Sequence, residues 1–373
     1  MKTKFTFKSI ALIIPVLVFI TFPPMNGFGM GSKEPAGIVS KASREKLVWP
    51  PPPYEPKIEF IKDISKHDDI GGPKGFFEKT WEAIAGKEEE DLIIKPFGIA
   101  TDGKGRLFVT DTASSSVNIL DLVNGKHTVI EDVKGNRFAS PVGIDVDRAG
   151  NIYVSDSIEE QVYIFTEKGK YLKNLALPES YGKFQRPTGI AIDKTTGFIY
   201  IVDTLACRIH VFTAEGSYKF SFGERGNGDG QMNYPTFIAV SKNGELYVSD
   251  SMNFRIQVFD RNGKFILNFG KLGDSAGDIA NPRGIAADSD GNIHVIDTLF
   301  EALQIFDRTG QLLLVFGKPF LKTREFALPA GIAIDGNDNI YVADTYNSRI
   351  RVFKYLKSGS QPAAKDSAQT KEK

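Results

Sequence analysis

The chain has 373 residues, enough for two average domains or one large repeat architecture. It is 41% hydrophobic and 25% charged, as an ordinary globular protein is, and 46 Lys+Arg balance 46 Asp+Glu. The basic surplus that a nucleic-acid binder uses against phosphates is therefore missing, and the single cysteine, Cys207, excludes an internal disulfide.

The first segment reads as an export leader. Lys2, Lys4 and Lys8 precede the 13-residue run Ile10–Phe22, which Pro23 and Pro24 close. That run is shorter than the roughly 20 residues of a membrane span and fits the core of a signal peptide over residues 1–27. The rest of the chain is then periplasmic or extracellular, or membrane-anchored if the leader stays uncut. No cysteine follows the run, so a lipid anchor is not expected. A Pro-rich linker follows over residues 28–56, with WPPPP at 49–53 expected to run as extended polyproline.

KIEFIKDI (57–64) alternates like a half-exposed strand. Over 74–88, Phe77, Trp81 and Ile84 fall at i, i+4 and i+7, so the spacing predicts a short amphipathic helix ending near Gly86. From Pro96 onward one phrase recurs six times: Pro-x-Gly-Ile-Ala, then x-Asp, then an apolar-aromatic-apolar triplet ending in Asp-Thr or Asp-Ser. Its prolines are Pro96, Pro141, Pro187, Pro235, Pro282 and Pro329, and its aspartates are Asp111, Asp156, Asp203, Asp250, Asp297 and Asp344. Successive copies lie 45 to 48 residues apart. Each period divides into four strands of about five residues, separated by turn residues and by no helix, as in GIAID, FIYIVD, RIHVF and YKFSF of the third copy. A four-stranded unit repeated at a period in the forties predicts an all-β fold, a six-bladed β-propeller of antiparallel blades spanning residues 57–356, with its repeats over 96–355.

The sixth copy supplies only three strands before a polar tail, 357–373, that is expected to be disordered. Residues 57–64 are the natural fourth strand, closing the ring and covering an open sheet edge. In the first strands, Ile99, Ile144, Ile190, Ile238, Ile285 and Ile332 take one face. Ala100, Ala191, Ala239, Ala286 and Ala333 take the other, with Asp145 breaking the series. Phe237 stands where the other copies have glycine.

PTGIAIDKTTGFIYIVDTLACRIHVF, NPRGIAADSDGNIHVIDT and the Asp-x-x-Asn-x-Arg-Ile pattern of DSMNFRI and DTYNSRI resemble NHL repeats of bacterial, exported propellers, over roughly residues 96–354. The resemblance is specific for fold and not for activity. Some propellers of this kind are enzymes, such as the peptide-amidating lyases with zinc-bound histidines; gluconolactonase-like and streptogramin-lyase-like propellers share the architecture. Other NHL domains bind nucleic acid.

Little in the chain points to chemistry of its own. His294 holds a slot that is Phe108, Tyr153, Tyr200, Tyr247 or Tyr341 elsewhere, so it reads as a packed ring; His210 holds a permissive, solvent-facing slot. With His67 and His127 at unrelated levels, no zinc site is expected. Neither a nucleophile-and-base motif nor a phosphate loop occurs. The six aspartates read as structural, capping turn N–H groups, with Arg208, Arg255 and Arg349 five residues on as ion-pair partners in three copies. Cys207 reads as buried filler. Function is expected on the rim that carries the turns between second and third strands, where the copies differ most: Glu159, Glu160, Phe300, Glu301 and Tyr346, with the three arginines beside them. The expectation is an exported, non-catalytic binding module that takes a protein, peptide or small ligand on its loop rim or at the mouth of the axial channel, with no cofactor and no nucleic acid. A lyase or hydrolase of the amidating-lyase or gluconolactonase type is the alternative, and nucleic-acid binding the second.

Overall fold

The computed structural model describes residues 46–71, 91–317 and 326–357. Six antiparallel sheets succeed one another along the chain, and the first strands of all six line a common axial cavity: a six-bladed propeller. Blade 1 comprises Pro96–Thr101, Arg106–Asp111, Ser116–Asp121 and Lys126–Ile130. Blades 2 to 6 begin in the same way at Pro141, Pro187, Pro235, Pro282 and Pro329. The leader 1–27, the helix expected over 74–88 and the tail from residue 358 lie outside the described residues. Among the described residues no helix is long and apolar enough to cross a membrane.

The alternation in the first strands is what packs the blades. Five of the six core clusters join the alanine of one blade to the isoleucine of the next: Ala100 with Ile144, Ala191 with Ile238, Ala239 with Ile285, Ala286 with Ile332 and Ala333 with Ile99. Near the axis a small residue must oppose a large one, or the sheets could not approach at interior packing density. Asp145 fills the alanine slot of blade 2 and is satisfied by blade 3, accepting from the Ile192 N–H at 2.7 Å and pairing with Lys194 Nζ at 2.9 Å. The glycine of the phrase has a steric reason. A Cβ on Gly331 would stand 2.3 Å from the Phe97 carbonyl oxygen of the next blade, and one on Gly98 2.2 Å from that of Val142.

The Asp-Thr and Asp-Ser pairs of the repeat tie neighbouring stretches of chain together. The carboxylate fastens both the linker entering its blade and the turn leaving its second strand. Asp297, for example, accepts from Ala280 N–H at 2.7 Å and from Leu299 and Phe300 N–H at 3.1 Å. In blades 3 to 6 the next hydroxyl reaches across the seam to the proline carbonyl of the following blade: Thr204 to Pro235 at 2.7 Å, Ser251 to Pro282 at 2.9 Å, Thr298 to Pro329 at 2.7 Å, and Thr345 to Pro96 at 2.7 Å. The last of these joins blade 6 to blade 1 and shuts the ring. In blades 1 and 2, by contrast, Thr112 and Ser157 bond Lys95 O and Ser140 Oγ of the linker entering their own blade.

Blade 6 takes its outer strand from the other terminus. Ile58–Ile64 pairs antiparallel with Arg349–Tyr355, in register from Ile58 opposite Tyr355 to Ile64 opposite Ile350, with a bulge near Phe60. Asp63 binds Arg349 Nη1 at 2.8 Å and Arg351 Nε at 3.1 Å across this junction. A fifth strand, Val48–Trp49, extends the sheet, and Trp49 stacks on Phe316 at 4.9 Å.

Three local expectations are corrected. Residues 50–53 do not run as extended polyproline: the chain turns there, with Tyr54 N–H donating to Pro51 O at 3.3 Å and cis bonds before Pro50 and Pro53, because Trp49 is held in the core by the strand pairing. His210 does not face solvent but is buried, its ring 5.5 Å from Phe184 and 6.2 Å from Tyr181, side chains that the blade 2–3 linker lays over it. His67 and His127 are not on unrelated levels: their rings lie 5.2 Å apart, since the short helical turn His67–Ile70 after the closing strand packs beside blade 1.

Candidate functional site

The axial channel opens at two mouths. The lower mouth is formed where the first strands end and turn into the second. Four carboxylates line it, and each is engaged: Asp145 by Lys194, Asp193 by Arg261 at 2.7 Å, Asp288 by His294 at 3.0 Å, and Asp335 by Asn339 and the Tyr341 hydroxyl at 2.8 and 3.2 Å. Burial pushes the Asp288 carboxyl up, but the hydrogen bond and charge of His294 more than offset this and hold it below the usual carboxylate range. His294 thus replaces in kind the tyrosine that blades 2, 3, 4 and 6 carry, bonding the turn aspartate equivalent to the one that Tyr341 bonds in blade 6. These four carboxylates are tied into a structural collar, three by a basic side chain and Asp335 by neutral donors, and Arg148 and Lys242 stand at the same mouth.

The upper mouth is different. There the strands begin, so the second residue of each Pro-x-Gly phrase and the turn after each Asp-Thr pair surround the opening. A cavity of about 510 Å³ lies over it, within the range of small-ligand pockets. Phe237 occupies the slot that glycine holds in the other blades, and its ring meets Phe97 of the opposite blade at 5.9 Å, giving an apolar floor across the axis. The wall carries hydroxyls tied in pairs between strand and turn, Thr188 with Thr204 at 2.8 Å and Thr236 with Ser251 at 2.7 Å, plus Ser157, Asn281, Tyr234 and Met252. Two arginines complete it, Arg186 just before Pro187 and Arg283 just after Pro282.

No Asp, Glu or His lines this cavity among the described residues, so its formal charge is that of the two guanidinium groups. The Arg283 guanidinium lies 5.4 Å over the Phe97 ring, and its Nε is buried with no hydrogen-bond partner. Burial, and then the neighbouring Arg186 charge, hold the Arg283 guanidinium below its ordinary value.

The rim residues singled out in the sequence lie on this upper face but outside the cavity. Glu159, Glu160, Phe300, Glu301 and Tyr346 sit in the turns of blades 2, 5 and 6, and none lines the opening. Glu160 and Glu301 hold the left-handed backbone position (φ 57° and 50°) that ends each such turn, with Cys207 in the same place in blade 3 and buried. Arg255 and Arg349 bond their repeat aspartates at 2.9 and 2.8 Å. Arg208 does not: the nearest basic group to Asp203 is the His210 ring, 3.7 Å away. Arg186 and Arg283 were not singled out. The signal was available, since the x residues of the phrase are Phe97, Val142, Thr188, Thr236, Arg283 and Ala330, one charged side chain among six otherwise neutral.

Two stretches, 232–259 and 326–353, match the NHL repeat, and the chain has an NHL-repeat, six-bladed propeller fold. No curated protein matches it in sequence. Among solved structures it is similar to a streptogramin B lyase, at 18% identity and TM-score 0.54 over 70% of this chain and 94% of that one. A selenomethionine form of virginiamycin B lyase from Staphylococcus aureus is similar at 18% identity and TM-score 0.53, over 70% and 95%. A catalytically inactive variant of the S. aureus enzyme with quinupristin gives 21% and 0.52, over 72% and 87%. At such identities the likeness is one of fold. It nevertheless overturns the expectation that the chain is more an inert module than an enzyme: three structures of this architecture are those of lyases, so regular blades without a familiar catalytic motif carry no weight against catalysis.

Proposed function

We propose that this propeller binds a small organic ligand in its upper mouth and acts on it by a lyase- or hydrolase-type reaction, outside the cytoplasm. The observation that carries the proposal is the cavity itself: about 510 Å³, floored by Phe97 and Phe237, walled by hydroxyls, and lined by two arginines and no carboxylate among the described residues. An apolar floor with a few fixed polar groups gives orientation as well as affinity. The lyases of the same architecture support the reaction class, and the lysines and apolar run of residues 1–27, read as an export leader, support the location.

The test is to incubate the purified chain with a panel of lactones, cyclic esters and cyclic depsipeptides and follow products by mass spectrometry. Hydrolysis adds one water, whereas elimination opens the ring at constant mass and creates a conjugated double bond. Met252 is exposed and lines the cavity, so Met252→Trp should narrow the mouth, leave the fold intact and reduce turnover. Turnover that survives this change undiminished, or a panel with no product, would sink the reading.

A further inference from the structure

Evolved surfaces rarely hold two cations side by side without an anion between or beside them. Like charges repel, and a guanidinium taken out of water costs several kcal/mol unless something pairs with it. Other buried or partly buried arginines in this chain obey that rule: Arg351 lies against Asp63 at 3.1 Å, and Arg255 against Asp250 at 2.9 Å. Arg283 does not. Its Nε is buried and unbonded, its neighbour is another arginine, and no carboxylate among the described residues is within ion-pair reach of either. Both line the cavity already described, and Arg283 leans on the aromatic floor through Phe97.

Resting on the reading of that cavity as the ligand site, we propose that Arg186 and Arg283 form the anion-recognition element of the upper mouth. The ligand then carries a carboxylate or a phosphate on an apolar body. The anion sits between the two guanidinium groups, and the apolar part lies on Phe97 and Phe237. A guanidinium presents paired donors that match a carboxylate or phosphate edge, and it is the side chain suited to a partly buried anion. The site is kept cationic and under-bonded in the free protein, so its strain is relieved when the anion arrives. Stability is given up locally to hold the groups ready.

The experiment measures binding to the full chain by calorimetry, using phenylacetate, phenyl phosphate and the neutral phenylacetamide, alongside thermal melting of the free protein. The anions should bind roughly tenfold or more tightly than the amide, because hydrogen bonds to charged groups exceed those to neutral ones by about this factor. Arg283→Gln should erase that preference. It should also melt at the same temperature as the parent or higher, since it removes a partly buried charge whose Nε is unbonded in the free protein and which sits beside another cation. Arg186→Gln should weaken anion binding and leave amide binding unchanged. Preference for phenyl phosphate over phenylacetate would assign the ligand to the phosphate esters, and the reverse to the carboxylates. Equal affinity for anion and amide overturns the anion proposal and leaves the cavity as a ligand site. A marked fall in melting temperature for Arg283→Gln overturns it too, because the arginine would then be structural. Binding by none of the three probes overturns both.

Discussion

At the scale of single residues, His127 is the side chain most sensitive to conditions. It is half-buried beside blade 1, and its Nε2 donates to Asn118 Oδ1 at 2.8 Å. Burial first, and the His67 ring second, depress its pKa from the ordinary imidazole value of 6.5. A histidine whose folded-state pKa is lowered takes up its proton more readily when unfolded, so stability is full above the unfolded value and falls as pH drops below about 6.5. Replacing it by His127→Gln keeps a donor for Asn118 and removes the titration. Melting temperatures of the two proteins should therefore run parallel above pH 7 and converge or cross as pH falls toward 5, with the parent losing more. Parallel curves across the whole range would refute the assignment. None of this was visible in the one-dimensional pattern: His67 and His127 are 60 positions apart along the chain, and only the terminal strand's crossing to the last blade carries one toward the other. His294 is the contrary case. Its repeat slot revealed a packed ring, because that slot is fixed by a strand position shared by all six copies.

Among elements, the seams that leave blades 3 to 6 rest on a repeated hydroxyl that donates to the next blade's proline carbonyl, which gives the Thr or Ser after those four aspartates its role. Thr345 makes that bond where the ring shuts, 2.7 Å from Pro96 O. Thr345→Val keeps the volume and removes the donor, so it should cost about 1–2 kcal/mol, seen in denaturant unfolding as a lower midpoint at unchanged slope. Thr309, in an exposed turn of blade 5 and bonded only to Asp307, is the control, and Thr309→Val should stay within about 0.5 kcal/mol. Equal effects would mean that the seam hydroxyls are ornamental. The elements themselves were legible because a strand's side chains alternate with a period of two, and six copies of one alternation expose their common core face. The link from each aspartate to the preceding linker was not legible. It joins residues about 17 apart, such as Ala280 and Asp297, through backbone N–H groups that no side-chain pattern reports. The channel mouth was anticipated as a place for a ligand, but its two arginines were not picked out, for a related reason. Arg283 owes its role to the direction in which the x position of the phrase points, and direction follows from the ring rather than from the strand.

For the whole molecule, closure is the property on which the others depend, because the mouth exists only while six blades hold a common axis. The ring is fastened twice at one place: by the Thr345 seam, and by Ile58–Ile64 laid along Arg349–Tyr355 with Asp63 between two arginines. The additional strand Val48–Trp49 is two residues long, so the sheet ends in a short edge that offers little template for another chain, while Trp49 covers Phe316 and Phe353. Removing residues 46–64 from the full chain would leave Arg349–Tyr355 as a seven-residue edge strand with its outer backbone groups unpaired and Arg349 and Arg351 without Asp63. The expected outcome is a lower melting temperature together with concentration-dependent self-association in analytical ultracentrifugation, since the bare edge can recruit the same strand from a second copy. Asp63→Asn separates the two contributions: it keeps the strand and withdraws its charge, so it should lower the melting temperature less and leave the protein monodisperse. If the truncated chain instead melts where the parent does and stays monodisperse, blades 1 and 6 are held by their own seam. The N-terminal strand would then be a passenger on the ring rather than its clasp.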